Sequence, residues 1–142
     1  MPEGASGSTV MGILSTKPGD DEKIIVARDK DMKTIPGKLW DGVKFTVISE
    51  DRADYFHLYQ TLIGDAADGY KGCPGIGPKK AEKLLSRTDD TIHIPRWKSV
   101  VKAYTKAGLT EADALRQARL ARILRWSDWD YKEKRPILWQ PS

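Results

Sequence analysis

The sequence predicts a mainly α-helical protein with a small β-sheet and a helix-hairpin-helix segment. Two short apolar runs, at residues 23–27 and 43–48, have the β-branched or alternating composition of strands. From residue 49 onward, apolar residues recur at helical spacing in several stretches. A glycine- and proline-rich turn at residues 72–78 separates two of these stretches. These three observations together define the fold class.

Composition limits the class of protein. With 142 residues, 39% of them apolar and 31% charged, the chain can bury a hydrophobic core and is typical of a globular domain. No apolar run approaches the roughly 20 residues that span a bilayer. The single cysteine, Cys73, has no partner for an internal disulfide, which is typical of a reducing, cytoplasmic location.

Charge is distributed unevenly along the chain. Residues 1–70 hold 8 Lys and Arg against 12 Asp and Glu, a net charge of −4, whereas residues 71–142 hold 16 against 8, a net charge of +8. This division suits a protein that holds cations at one place and a polyanion at another. Charged residues also cover solvated faces in most proteins, so the asymmetry alone identifies no partner.

Two aspartates follow the first predicted strand. Residues 1–9 predict a flexible lead-in, and residues 10–14 fit either a helix end or a short strand. The run at residues 23–27 predicts a strand covered on both faces, directly before Asp29 and Asp31. Ligand sites gather beyond the carboxyl ends of such strands, so this pair is placed to bind a hard cation. Aspartate also favours turns, and the sequence leaves the two interpretations even.

A second aspartate pair follows the first long helix. After a turn at 35–37 and the strand at 43–48, Ser49 is a plausible N-cap for a helix that begins near Glu50. This helix should end near Asp65 and Asp68, and its His57 is expected to serve packing or hydrogen bonding. Its apolar residues fall at helical spacing: Phe56, Tyr59, Leu62 and Ile63.

The glycine-rich turn is a candidate phosphate site. Gly75 and Gly77 let a ligand approach the backbone closely, and Pro78 suits the first turn of a helix. The N–H groups of that turn, with Lys79 and Lys80 beside them, can hold one phosphate without reading a base sequence. The alternative is a plain connection between two helices, since glycine and proline mark most turns.

Two further helices and an aromatic tail complete the prediction. One helix should begin at Pro95 and end at Gly108, and a second should run from Glu111 to Trp126 behind a Thr110–Asp113 capping box. The last helix carries a predicted basic stripe of Arg116, Arg119 and Arg122. The tail aromatics Trp129, Tyr131 and Trp139 could stack on bases, but docking onto the protein's own core is favoured.

Three segments, at residues 27–41, 56–85 and 118–139, resemble the 5′→3′ exonuclease/flap endonuclease family, and most of all the short exonucleases of podovirus-type bacteriophages. The shared motifs are D-x-D at Asp29, G-D-x-x-D at Gly64 and C-P-G-I-G-P-K-K at Cys73. The resemblance implies a truncated parallel sheet at residues 10–48, the remnant of an α/β nuclease domain. A helix-hairpin-helix DNA-binding domain would follow at residues 49–142.

The resemblance also implies a metal-dependent nuclease that removes nucleotides from the 5′ ends of duplex or flapped DNA. Its metal ligands and catalytic residues would be Asp29, Asp31, Asp65 and Asp68, holding Mg²⁺ or Mn²⁺, and the hairpin carbonyls would hold K⁺. Oxygen-only ligands suit magnesium better than any His/Cys set. The DNA-binding residues would be Gly72, Cys73, Gly75, Ile76, Gly77, Lys79, Lys80 and Lys83.

One departure from the family affects this interpretation. Just before the equivalent of residues 10–14, family members carry a Glu-x-Asp-Asp cluster, whereas residues 6–9 here read Ser-Gly-Ser-Thr. The chain therefore resembles the C-terminal part of a nuclease, and a separate N-terminal nuclease chain becomes an expected partner. The alternative function is a non-catalytic DNA-binding module that keeps the hairpin and its lysines but not the chemistry.

Overall fold

The computed structural model describes residues 7–19, 21–86 and 94–141. The chain divides into two compact units, the first made of Met1–Asp54 and Ile123–Leu138 and the second of Tyr55–Arg122 and Trp139–Ser142. The tail at 123–138, which the sequence assigns to the C-terminal domain, thus belongs to the first unit. The helices are α1 (Gly7–Ser15), α2 (Glu50–Ile63), α3 (Pro78–Leu85), α4 (Arg96–Lys106) and α5 (Glu111–Ala121). The strands are β1 (Ile24–Val26), β2 (Gly37–Trp40), β3 (Phe45–Ile48), β4 (Trp129–Asp130) and β5 (Arg135–Pro136).

The first unit contains a three-stranded mixed sheet of order β1-β2-β3. Strand β1 pairs with β2 in parallel, and β2 pairs with β3 antiparallel. The predicted parallel sheet is therefore wrong in part. The four residues at 41–44 join β2 directly to β3, and so short a connection allows only an antiparallel pair. Strand β2 lies in a stretch where the sequence predicted only a turn.

The outer face of this sheet is apolar and exposed. Ile25 is buried, but Ile24 and Val26 on either side of it are 47% and 70% exposed. The prediction that this strand is covered on both faces is wrong for the residues that the structure describes. The exposed residues form what we call the outer sheet face: Ile24, Val26, Trp40, Phe45 and Val47.

The inner face of the sheet forms the core of the first unit. Ile25, Leu39 and Ile48 point inward and pack with a short 3-10 helix at Lys30–Thr34 and with the first turns of α2. Burying each such side chain stabilises the fold by about 1.5–3 kcal/mol. The core members contributed by those two elements and their flanks are Met32, Ile35 and Ala53.

Helix α1 and the returning tail close the first unit. The stretch at 10–14 is helical, and the helix begins at Gly7, inside the predicted lead-in; residues 1–6 lie outside the described residues. The Thr16 hydroxyl accepts a 2.6 Å hydrogen bond from the Trp126 backbone N–H. The buried Arg125 guanidinium donates to the Thr34 carbonyl at 2.9 Å and pairs with the Asp54 carboxylate at 3.0 Å. The tail is therefore held by specific polar contacts.

The second unit is helical, with the end of α2 packed among α3, α4 and α5. Its core contains Leu62, Leu85, Val100 and Tyr104, all fully buried. Among the residues that the structure describes, none of the helices combines the length and apolar character needed to cross a bilayer.

Trp139 docks onto the second unit. Its ring lies edge-on to His57 and to Trp97, with centroids 4.9 and 5.3 Å away, and its carbonyl accepts a 3.1 Å hydrogen bond from Arg119 Nε. His57 Nε2 lies 2.8 Å from the buried Ala118 carbonyl, which is the packing and hydrogen-bonding role predicted for it. For Trp139, docking rather than exposure is confirmed.

Helix α5 is shorter than predicted. Its capping box between Thr110 and Asp113 is present, but the helix ends at Ala121, and Arg122 already has an extended ψ of 117°. The helix ends here because the following residues belong to the first unit, where Arg125 contacts Thr34 and Asp54. The predicted basic stripe is therefore broken: Arg116 pairs with Asp113 at 3.4 Å, and Arg122 stands outside the helix.

Replacing Tyr104 with Phe should lower the free energy of unfolding by about 1–2 kcal/mol, because its buried hydroxyl donates a 2.6 Å hydrogen bond to the Thr61 carbonyl. Burial raises the pKa of Tyr104 above its ordinary value of 10.0. The free energy of unfolding that the protonated phenol contributes is therefore fully present below the ordinary pKa of tyrosine. It is lost as the pH rises toward the raised pKa of Tyr104 in the folded protein. Urea denaturation measured from about pH 7 to about pH 11 should show that the free energy of unfolding falls less with rising pH in the Tyr104→Phe variant than in the parent.

The matched control for this measurement is Tyr131→Phe, at an exposed tyrosine of the first unit. It should change stability by less than about 0.5 kcal/mol at neutral pH. Equal losses in the two variants would contradict the role given to the Tyr104 hydroxyl.

Candidate functional site

The end of α2 leads directly into a small acidic loop. The Asp65 N–H and C=O pair with Tyr70 at 2.8 and 3.1 Å, which closes the loop at its base. Asp65 Oδ1 accepts hydrogen bonds from the backbone N–H groups of Ala67 and Asp68. A carboxylate oxygen of Asp65 lies within 4.8 Å of one of Asp68, and Asp68 is exposed. The loop therefore offers two neighbouring oxygen ligands of the kind that hard cations prefer.

The hydrogen bonds of Asp65 do not by themselves indicate a ligand site. Asp41 and Asp130 make the same turn, each accepting two backbone N–H groups with Oδ1. The N–H groups of Lys44 and Val43 hold the pKa of Asp41 below its usual range. Asp65 belongs to the acidic loop because a carboxylate oxygen of Asp68 lies within 4.8 Å of its own.

Asp29 and Asp31 lie in the first unit, just beyond the end of β1, as predicted. Asp29 Oδ1 accepts a 2.9 Å hydrogen bond from the Asp31 N–H and caps the 3-10 helix at Lys30–Thr34. Lys30 Nζ lies 3.6 Å from Asp31 Oδ1, and the Asp31 side chain is 15% exposed. The turn interpretation accounts for the capping role of Asp29.

Two glycines allow the acidic loop to close. Gly64 and Gly72 have φ values of +74° and +71°, which L side chains rarely adopt. A Cβ on Gly72 would collide with the Gly64 nitrogen, and a Cβ on Gly64 with the Lys71 carbonyl. The contact brings the Cys73 N–H within 2.8 Å of the Leu62 carbonyl. Sequence patterns alone assigned no separate role to Gly64, although it opens the G-D-x-x-D motif.

The hairpin that follows divides into a buried and an exposed part. Gly72 and Cys73 are buried; the Gly72 N–H donates to Gln117 Oε1 at 2.9 Å, and burial raises the pKa of the Cys73 thiol. Nothing in the sequence pointed to Gln117. The Ile76 N–H closes the turn onto the Cys73 carbonyl at 3.2 Å, and Gly75 takes a φ of +78°. A ligand that approaches from solvent can therefore reach only the exposed part of the hairpin, which includes Gly75 and Gly77.

Helix α3 begins directly after this turn, with Gly77 at its N-cap and Pro78 in its first turn. Gly77 has no side chain to cap the helix, so its first N–H groups have no side-chain partner at that position. Lys79, Lys80 and Lys83 are exposed on the helix. Of the predicted DNA-binding residues, Gly75, Gly77 and these three lysines are exposed, and Ile76 is half-buried.

Substituting alanine along the hairpin should give graded losses of stability. Gly72→Ala should cost about 2–3 kcal/mol, since it combines backbone strain with a collision. Gly75→Ala should cost about 1 kcal/mol from its positive φ alone, since nothing lies near its Cβ position. Gly77→Ala has neither problem and is the control; it should cost at most about 1 kcal/mol, because alanine is a poorer N-cap than glycine. Thermal or urea unfolding measures the series, and a Gly72 variant as stable as the Gly77 variant would contradict the close contact.

The chain is similar to two curated bacteriophage enzymes. It is 32% identical to the exonuclease of Escherichia phage T7 and 30% identical to the exodeoxyribonuclease of Enterobacteria phage T3. Each alignment covers 95% of this chain but 55% of the relative, so the chain spans about half the length of the relatives it matches. No protein-family model matches the chain. No solved structure matches it either.

Proposed function

We propose that this chain is the DNA-binding, metal-ligating part of a 5′→3′ exonuclease that hydrolyses phosphodiester bonds at DNA 5′ ends. The observation that carries the proposal is the similarity to the two phage exonucleases along 95% of the chain. The acidic loop after α2 supports it, because Asp65 and Asp68 present neighbouring carboxylate oxygens next to an exposed, lysine-flanked hairpin.

The metal of this proposal is Mg²⁺, with Mn²⁺ as a substitute. The donor set fits a hard cation, since Asp65 and Asp68 offer only oxygen atoms and lie close enough to share one ion. Asp29 and Asp31 complete the proposed ligand set on the strength of the family resemblance. Bound magnesium would lower the pKa of a ligated water and neutralise charge at phosphorus. The role of the aspartates is to hold the ion and orient it toward the substrate.

The exposed part of the hairpin is the proposed contact for the DNA backbone. Lys79 and Lys80 flank the first turn of α3, where the positive end of the helix dipole adds to their charge. Lys83 lies one turn further along the same helix. Contacts of this kind hold phosphates without reading bases, as an exonuclease of arbitrary sequences requires. A K⁺ ion at the hairpin carbonyls stays a prediction.

Replacing Asp65 or Asp68 with Asn should reduce Mg²⁺-dependent cleavage of 5′-labelled duplex DNA by at least about 100-fold. Losing even an outer partner of a metal ligand costs about 10–100-fold, and a ligand should cost at least as much. The amide keeps the Oδ1 acceptor that holds the turn, so the loop should stay folded. The assay is run with and without the portion of the phage T7 exonuclease that has no counterpart here.

Asp130→Asn is the matched control, because Asp130 makes the same turn in the first unit. Its cleavage rate should equal that of the parent. The nuclease proposal is wrong if no combination of chains cuts DNA, or if the Asp65 and Asp68 variants cut as fast as the control.

A partner polypeptide is the second part of the proposal. The relatives are nearly twice as long as this chain, and the outer sheet face leaves Val26, Trp40 and Phe45 in one exposed row across three strands. Exposed apolar patches of this kind mark sites where other protein surfaces dock. We infer that the polypeptide corresponding to the unmatched portion of the relatives covers this face.

Val26→Lys/Phe45→Lys should weaken binding of the unmatched portion of the phage T7 exonuclease by at least about tenfold. Each side chain contributes about 1.5–3 kcal/mol when fully buried, and 1.4 kcal/mol corresponds to tenfold. Leu120→Lys/Leu138→Lys, at two exposed apolar positions that are not part of the sheet, is the control and should bind like the parent. Calorimetry or a pull-down assay measures the affinities, and equal binding by both variants would remove the face from the proposal.

A further inference from the structure

We propose that the groove between α3 and α4 binds the sugar-phosphate backbone of a duplex nucleic acid, extending the hairpin contact onto α4. This inference rests on the proposed function, because it takes the ligand of the hairpin to be DNA. It adds Lys102 and Lys106, which the sequence did not single out.

The groove lies within the second unit and has a volume of about 690 Å³. Pro74 and Ile76 of the hairpin form one end of it, so the groove is continuous with the proposed phosphate contact. Its floor is apolar, and Leu84 and Ala103 contribute to it. A ligand held at the hairpin therefore meets the groove without crossing other elements of the unit.

Positive charge lines the groove on both sides. The cationic lining residues are Lys80 and Lys83 from α3, and Arg96, Lys102 and Lys106 from α4. Among the described residues that line it, none is acidic. Surface helices normally mix both signs of charge, so five cations with no carboxylate among the described lining residues favour a polyanionic ligand.

The α4 lysines are positioned by the burial of the helix. Trp97, Val100 and Tyr104 are buried on one face, which leaves Lys102 and Lys106, four residues apart, in one exposed row. Arg96 is held at the base of the groove, with Nε donating to the Leu85 carbonyl at 3.2 Å and the guanidinium 5.3 Å from the Tyr55 ring centre. These two contacts hold the Arg96 guanidinium in place among the lining lysines, which suits a chain of phosphates.

The lining chemistry favours backbone recognition over base recognition. Proteins that hold single strands stack bases on aromatic side chains, and none of the described lining residues is aromatic. Lysine contacts to phosphates are indifferent to sequence. The occupant is therefore the backbone of a duplex, whose bases face away from the protein.

The test measures binding of two fluorescent duplexes of unrelated sequence across a salt series. Lys102→Glu/Lys106→Glu should weaken binding to both duplexes by at least about tenfold at 0.1 M salt, and should reduce the salt slope by about 2. Lys44→Glu/Lys132→Glu changes the net charge equally at exposed lysines of the first unit and should stay within about threefold of the parent.

The groove assignment fails if the groove variant and the control bind alike, or if the parent binds neither duplex. Cleavage assays separate this failure from that of the proposed function. If the parent cuts DNA with Mg²⁺ and the groove variant binds DNA as well as the parent, the groove proposal is wrong and the nuclease proposal stands. If the groove variant loses binding but the parent does not cut DNA, the groove stands as a nucleic-acid site and the nuclease proposal is wrong.

Discussion

The close approach of Gly64 and Gly72 is the constraint on which the candidate site depends. It closes a loop of seven residues, so the carboxylates of Asp65 and Asp68 lie on one side of the contact and the hairpin begins on the other. Both backbones adopt left-handed conformations there, and the Cys73 N–H completes the end of α2 by bonding to Leu62. Two glycines thus join the loop that carries the proposed cation ligands to the hairpin that leads into the proposed phosphate contacts.

This arrangement follows the uneven distribution of charge along the chain, since the acidic loop precedes the hairpin and the lysines of α3 and α4 follow it. Carboxylates that hold a divalent cation must be close together, and like charges at short distance repel unless a cation or hydrogen bonds offset the repulsion. Backbone N–H groups provide part of that offset at Asp65. Along the chain, the hairpin separates this loop from the lysines of α3 and α4. A polyanion bound to those lysines therefore does not have to contact the acidic residues.

Local signals predicted the local features well. The start of α2 after Ser49 and the Thr110–Asp113 capping box were readable because caps and periodicity are encoded within a few residues. Three features could not be predicted in this way, because each depends on residues that are distant in sequence. They are the mixed sheet, the early end of α5 and the burial of Gly72 and Cys73. Arg125 ends up beside Thr34 and Asp54, and no pattern near residue 125 announces those partners. For the same reason Asp29 and Asp31 could be assigned to a turn from spacing, while the metal-binding role proposed for them together with Asp65 and Asp68 rests on resemblance alone.

The path of the tail has a consequence for how the protein is made. After α5 the chain enters the first unit, and only at Trp139 does it return to lie against His57 and Trp97. The helical core therefore cannot be completed until the chain has been synthesised as far as Trp139. A nascent chain that has not reached this residue would expose the apolar surface that the Trp139 ring covers beside His57 and Trp97, and such surface promotes aggregation during folding.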